Sequence, residues 1–204
     1  MSVRRLAPDS EQPASFAFTD ENRKKAAAIV ARYPDGRQAS AVLPLLDLAQ
    51  RQHRNWLPRK AIEHVAELLG MPHMRVLEVA TFYSMFNLAP VGKYLIQLCG
   101  TTPCWLRGSD EVKAAIREEL GIGMGESTPD GVFSTIEVEC LGACVNAPMV
   151  QINDDFYEDL DKARMTALLQ ALRRGEAPKP GPQAGRTSSE PAGGPTTLIA
   201  TGAE

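Results

Sequence analysis

The chain has 204 residues, 44% hydrophobic and 23% charged, with a net charge of -3; this is the balance of a globular protein with room for one mid-sized domain or two small ones, and with no basic stripe it excludes nucleic acid as an expected partner. No apolar stretch approaches the roughly 20 residues that span a bilayer. The opening MSVRRLAPDSEQPASF has two arginines without an apolar run behind them, so no secretory signal is expected either. A reducing, cytosol-like compartment is the expectation, and there paired cysteines more often bind metal or do redox chemistry than form structural disulfides.

In chain order, the first half reads as four helices. Thr19 suits the N-cap of a helix whose first turn carries Asp20 and Glu21, where acidic groups meet the positive helix end. Ile29, Val30 and Tyr33 give its apolar side, and Pro34-Asp35-Gly36 stops it. A second helix, from about Ser40, sets Val42, Leu45, Leu46 and Ala49 at the i, i+3, i+4, i+7 spacing. The third takes Pro58 as its first residue, Ile62, Val65, Leu68 and Leu69 as its stripe and Gly70 as its stop. The fourth starts at Pro72 and carries Val76, Leu77, Ala80 and Tyr83. Short connections between amphipathic helices imply a small antiparallel bundle.

The pattern changes at Pro90-Val91-Gly92. Residues 93–98 (KYLIQL) form an apolar run of strand length that ends at Cys99. Ser109 is the expected cap of a helix to about Leu120, closed by Gly121. Phe133 to Val138 (FSTIEV) alternates like a strand. Residues 149–152 and 156–157 flank Asn153-Asp154-Asp155 as a tight hairpin, and a last amphipathic helix covers about 161–174, with Met165, Leu168, Leu169 and Leu172 inward. The expectation is therefore an α+β chain: a flexible N-terminus (1–17), a helical bundle (18–90), helices packed on a small sheet (91–175), and a Pro/Gly/Ser-rich tail (176–204) that is disordered or ordered only against a partner.

The chain has four cysteines, Cys99-x4-Cys104 and Cys140-x3-Cys144, with 35 residues between the pairs. Each pair begins where a predicted strand ends. If those strands are parallel neighbours, as a strand–helix–strand unit implies, both loops open on the same edge of the sheet and four sulfurs converge. Gly100 and Gly142 would let the backbone approach a metal centre closely. A [2Fe–2S] cluster takes four thiolates, two per iron, which the pairing by loop provides. A structural zinc also takes four cysteines at such spacings. Neither pair matches the Cys-x2-Cys of a redox dithiol or of a zinc knuckle. Spacing favours iron–sulfur and leaves zinc and a thiol–disulfide pair open.

The residues also carry a resemblance. Asp130-x2-Phe133-Ser134-x5-Cys140-Leu141-Gly142-x-Cys144-x2-Ala147-Pro148 matches at all 19 positions the signature of the small thioredoxin-like [2Fe–2S] subunit family of respiratory complex I, the E subunit of bacterial NADH–quinone oxidoreductase. Cys99-x4-Cys104 lies where that family has its first two ligands, and Ala80-Thr81-Phe82-Tyr83-Ser84-Met85-Phe86 is similar to its pattern at the end of the helical region. The resemblance covers about residues 15–175. It implies a helical bundle followed by a thioredoxin-like domain in which Cys99, Cys104, Cys140 and Cys144 hold one [2Fe–2S] cluster. It further implies a flavoprotein partner carrying FMN, the NADH site and a [4Fe–4S] cluster, with electrons passing from NADH towards quinone. The isolated chain would carry electrons without turning over a substrate. The expected location is peripheral, on the cytoplasmic side of a bacterial inner membrane, or the matrix side for a processed mitochondrial chain. Similar subunits serve NAD-linked hydrogenases and formate dehydrogenases, so those complexes are the alternative setting.

Other features read more plainly. His53, His64 and His73 show no ligand spacing and are expected at the surface or at helix ends. Gly121, Gly123 and Gly125 follow a helix, not a strand, and so form a loop and not a dinucleotide fingerprint. Glu139 either lowers the potential of a neighbouring centre or is an exposed strand-end charge. Trp105 either packs ordinarily or shields the centre or anchors a partner, and residues 81–86 are either bundle core or part of a domain or subunit contact.

Overall fold

In the computed structural model, which describes residues 5–191 with 193, 194 and 197, the Thr19 hydroxyl accepts a hydrogen bond from the Asn22 N–H at 3.3 Å and opens α1 (Asp20–Val30). A short 3-10 turn, Gln38–Ala41, leads into α2 (Val42–Gln52). The third and fourth helices are α3 (Arg59–Leu69) and α4 (His73–Phe82). Pro58 and Pro72 each stand just before the helix in extended backbone, and so serve as N-caps and not first helical residues. These helices bury one core, including Leu45, Leu46, Ile62, Val65, Val76 and Phe86.

Two positions depart from the expected stripes. On α3 the buried line runs through Ile62, Val65 and Ala66 to the partly buried Leu69, an i, i+3, i+4, i+7 set, so Leu68 falls on the opposite side and is exposed. Tyr83 adopts an extended conformation after α4 has ended and is partly exposed. Of the segment expected to be flexible (1–17), residues 5–17 are described. Within residues 5–17, Ala7 is buried and donates its N–H to the Leu88 carbonyl at 2.8 Å, while Gln12 accepts from the Arg59 N–H at 2.8 Å. Leu6 and Phe16 pack on the helical core, which repays the ordering of that stretch.

The chain divides between Val91 and Gly92 into two units. The second is built from β1 (Tyr94–Cys99), α5 (Thr102–Leu106), α6 (Ser109–Leu120), β2 (Phe133–Val138), β3 (Val150–Ile152), β4 (Asp155–Glu158), α7 (Lys162–Arg173) and β5 (Gly181–Pro182). The sheet order is β2-β1-β3-β4-β5. β1 and β2 run parallel, with Tyr94 opposite Phe133 and Cys99 opposite Val138. β3 is antiparallel to both β1 and β4. Val112, Ile116, Met165 and Leu169 from α6 and α7 join Ile96, Phe133 and Val150 from the strands in one core.

Local chemistry explains the punctuation. Asn153 takes the left-handed conformation (φ 54°) in the β3–β4 turn, and its side chain accepts from the Leu95 N–H at 2.9 Å and donates to the Lys93 carbonyl at 3.0 Å. Asp161 caps α7 by accepting from the Arg164 N–H at 2.7 Å. Ser109 does not cap α6; it is the buried first helical residue, and Gly108 precedes it at φ 98°. Part of the segment expected to be disordered or ordered only against a partner (176–204) is described, and its remainder lies outside the described residues. β5 pairs in parallel with β4 because β4 would otherwise leave its outer backbone groups unpaired.

Candidate metal centre

The parallel pairing of β1 and β2 decides where the cysteines go. Cys99 is the last residue of β1, Cys140 lies two residues beyond β2, and β3 enters the sheet from the same end, so the loops 100–104 and 139–149 share one edge. Cys99, Cys104, Ala147 and Met149 form a buried cluster, with Leu141, Ala143 and Phe156 packed against it. Residues from both cysteine loops thus meet in one buried cluster, while Cys140 and Cys144 are exposed. All four thiols are free.

The sulfurs meet in pairs. Cys140 Sγ lies 3.4 Å from Cys144 Sγ, and Cys99 and Cys104 interact through their side chains. Among the described residues no three His, Cys, Asp or Glu side chains gather as around one metal ion.

Hydrogen-bond donors are aimed at the sulfurs. The Gly142 N–H points at Cys140 Sγ at 3.4 Å, and the Thr101 hydroxyl lies 3.3 Å from Cys99 Sγ. Burial pushes the Cys99 thiol up, but the Thr101 hydroxyl and the backbone N–H groups of Thr101 and Leu141 outweigh it and leave the thiol below its ordinary range. Burial first, and then Cys99, pushes the Cys104 thiol up to about 12. The Gly142 N–H lowers Cys140, and Cys140 in turn raises Cys144. Cys99 also acts on both Cys140 and Cys144, so the four thiols form one electrostatic group across the two loops.

The two glycines serve different ends. Gly142 sits at φ +87° with open space around a Cβ, so its backbone conformation is what requires glycine there. At Gly100 a Cβ would run into the Glu137 side chain, whose carboxylate is held by Lys113 at 2.6 Å. Glu139 is exposed beyond the end of β2. Trp105 is 57% exposed, Leu106 70% and Val145 71%, so each cysteine loop presents apolar side chains to solvent right after a cysteine. The Trp105 indole N–H donates to the Asp110 carboxylate at 3.1 Å.

Residues 81–86 are split: Phe86 is buried in the helical core, whereas Phe82 is 79% exposed. Gly121, Gly123 and Gly125 lie in a loop. His73 is exposed at the start of α4, but His53 and His64 are half-buried in an aromatic group with Phe16, with ring centroids 6.3 and 5.7 Å from it. Burial and Arg54 lower the His53 pKa.

Sequence reasoning missed Thr101, Asn146, Asp159 and Arg186 around the loops. Thr101 carried a signal, since a hydroxyl two residues after a cysteine is within reach of its sulfur. Arg186 carried none, because Asp159 and the Val145 carbonyl, which it binds, lie 27 and 41 residues away. No helix among the described residues is long and apolar enough to cross a membrane.

A family model described as thioredoxin-like [2Fe–2S] ferredoxin matches residues 26–173. The E subunit of NADH-quinone oxidoreductase from Rickettsia bellii is 59% identical over 159 residues, covering 78% of this chain and 95% of its own length. The protein of the same name from Rickettsia typhi is 58% identical over 156 residues, covering 76% and 92%. Among solved structures, an NAD+-reducing [NiFe]-hydrogenase in its H2-reduced state shares the fold over 66% of this chain and 23% of its own, with a TM-score of 0.57 at 24% identity.

Proposed function

The chain belongs to the thioredoxin-like [2Fe–2S] ferredoxin family, and from that premise we propose that it is the [2Fe–2S] electron-transfer subunit of an NADH–quinone oxidoreductase, with Cys99, Cys104, Cys140 and Cys144 as the ligands. One observation carries the reading. The parallel β1–β2 pairing brings two loops to one sheet edge, and their four free thiols stand there in two pairs. The donor set fits two irons with two thiolates each.

Bound at this edge, a [2Fe–2S] cluster would supply a one-electron couple, which in plant-type all-cysteine centres lies at about -400 mV. The chain's own groups do the rest. Cys99 and Cys104 are buried among Ala147 and Met149, which keeps water from half of the donor set. The Gly142 N–H and the Thr101 hydroxyl hold negative charge on Cys140 and Cys99 and bias the site towards a higher potential. Cys140 and Cys144 stay at the rim, where an electron partner can approach.

The exposed Trp105, Leu106 and Val145 support a partner seated over that rim. By family that partner is the flavoprotein subunit carrying FMN and the NADH site. We infer also that α1–α4 form the family's antiparallel bundle, and that the chain works peripherally on the cytoplasmic face of a bacterial membrane. The hydrogenase likeness is one of fold, whereas the Rickettsia relatives match over nearly their whole length, so complex I is the better-supported setting.

Anaerobically purified protein tests the reading. Two irons per chain and a rhombic S = 1/2 signal only after reduction are expected, with an FMN-containing subunit of complex I co-purifying from cells. One zinc per chain and no colour under iron-replete conditions would overturn it.

A further inference from the structure

Residues 181–190 lie beyond the stretch matched by the family model, yet they are tied to the loop that carries Cys140 and Cys144. Arg186 is the centre of the tie. Its guanidinium grips the Asp159 carboxylate with two bonds, Nε to Oδ2 at 2.7 Å and Nη2 to Oδ1 at 2.6 Å. The same group donates to the Val145 carbonyl at 3.0 Å and to the Glu190 carbonyl at 2.8 Å. Val145 is the residue after Cys144. One residue further, Asn146 donates to the Ser188 carbonyl at 3.0 Å and to the Glu158 carboxylate.

The loop is also fixed by the β4–α7 connection, which carries Asp159. The Asp159 N–H donates to the Asn146 carbonyl at 2.8 Å and the Leu160 N–H to the Pro148 carbonyl at 3.0 Å. The Arg186 and Asp159 side chains are only 14% and 13% exposed, so water does not compete strongly for this pair, unlike the exposed ion pairs on the helices. Gln183 extends the attachment by donating its N–H to the Glu158 carbonyl at 3.0 Å, next to the β4–β5 pairing.

We propose that residues 181–190 form a strap in which Arg186 is a positioning residue: it holds the backbone at Val145, and through it Cys144 and Cys140, in the spacing that retains iron. The proposal rests on the reading of the four cysteines as ligands. Cys140 and Cys144 are the exposed pair, so their loop is the part of the site that must open for iron to leave, and the strap fastens that loop.

The test compares the full-length iron-loaded protein with Arg186→Ala, Arg186→Lys and a chain ending at Pro178. Circular dichroism melts establish folding, the rate of iron removal from the oxidised protein by a ferrous/ferric chelator reads retention, and EPR of the reduced protein reads ligand geometry. Arg186→Ala and the shortened chain are expected to lose iron about tenfold faster or more, the scale of losing charge-assisted hydrogen bonds, with altered g-values. Arg186→Lys keeps the charge without the planar fork and is expected to fall between. Should the shortened chain not fold, Arg186→Lys against wild type still decides. Wild-type protein holding iron, with Arg186→Ala and Arg186→Lys both showing wild-type iron loss and unchanged g-values, would overturn the strap alone. Wild-type protein without iron would overturn the ligand reading and the strap with it.

Discussion

At the scale of single residues, the four sulfurs are not equivalent before iron binds. Cys104 is neutral and buried, its thiol pushed up to about 12, whereas Cys140 is lowered by a backbone N–H at the solvent edge. Binding iron requires thiolates, so loading releases protons and weakens as pH falls; reconstitution of iron-free protein is expected to be less complete at pH 6.5 than at pH 8.5 at equal iron and sulfide. In the iron-free chain the sign for stability is the opposite. A thiol raised from 9.0 to about 12 contributes stability that is fully present below about pH 9 and is lost as pH rises towards about 12. Melting temperatures between pH 8.5 and 11 should show that fall, and Cys104→Ser should lessen it. Serine at any one of Cys99, Cys104, Cys140 or Cys144 should weaken or abolish cluster binding, and full occupancy in all four variants, read by iron content and EPR, would dispose of the ligand assignment. Gly142→Ala forces a side chain into φ +87°, which costs about 1–2 kcal/mol, and it should also shift the N–H away from Cys140.

At the scale of elements, β1 and β2 hold the site together through backbone contact. A Cβ at Gly92 would lie 2.6 Å from the Phe133 carbonyl carbon and 2.9 Å from the Ser134 nitrogen, so Gly92→Ala should push the start of β1 off β2 and cost about 1–3 kcal/mol or more. Gly100→Ala meets only the flexible Glu137 side chain and should cost less than about 1 kcal/mol. Equal melting temperatures for the two variants would contradict this account. The elements themselves are largely legible in the sequence. Thr19 caps its helix because an oxygen one residue ahead of an apolar periodic run has free N–H groups to accept from, and Asp161, expected inside the last helix, caps it in the same way. The helix α5 is not legible, since TPCWL is too short to have a period. The parallel partner of β1 follows from the helix between the strands, but the placement of β3 against β1 and of β5 against β4 does not, because strand order depends on contacts far apart in sequence.

For the whole molecule, every residue argued to touch the cysteines lies after Gly92, and that part of the chain has a core of its own. A fragment from Gly92 onward is therefore expected to fold cooperatively and to take up two irons, with a spectrum matching that of the full chain. Failure to bind iron despite a cooperative melt would mean that the helical half completes the site. The fragment would keep Trp105, Leu106 and Val145 exposed, and aggregation through that apolar rim is the expected cost of leaving it without a partner.

The sequence by itself determined the longer helices, the strand ends near which each cysteine pair begins and the family, since these depend on local periodicity and on short, dense motifs. Only the tertiary structure decided which cysteines are buried, why Gly142 is glycine, and that part of the C-terminal segment returns to the cysteine loop. Arg186 meets Asp159 across 27 residues and Val145 across 41. Contacts over such distances follow from how β4, α7 and β5 pack, and no local pattern of charge or hydrophobicity encodes them.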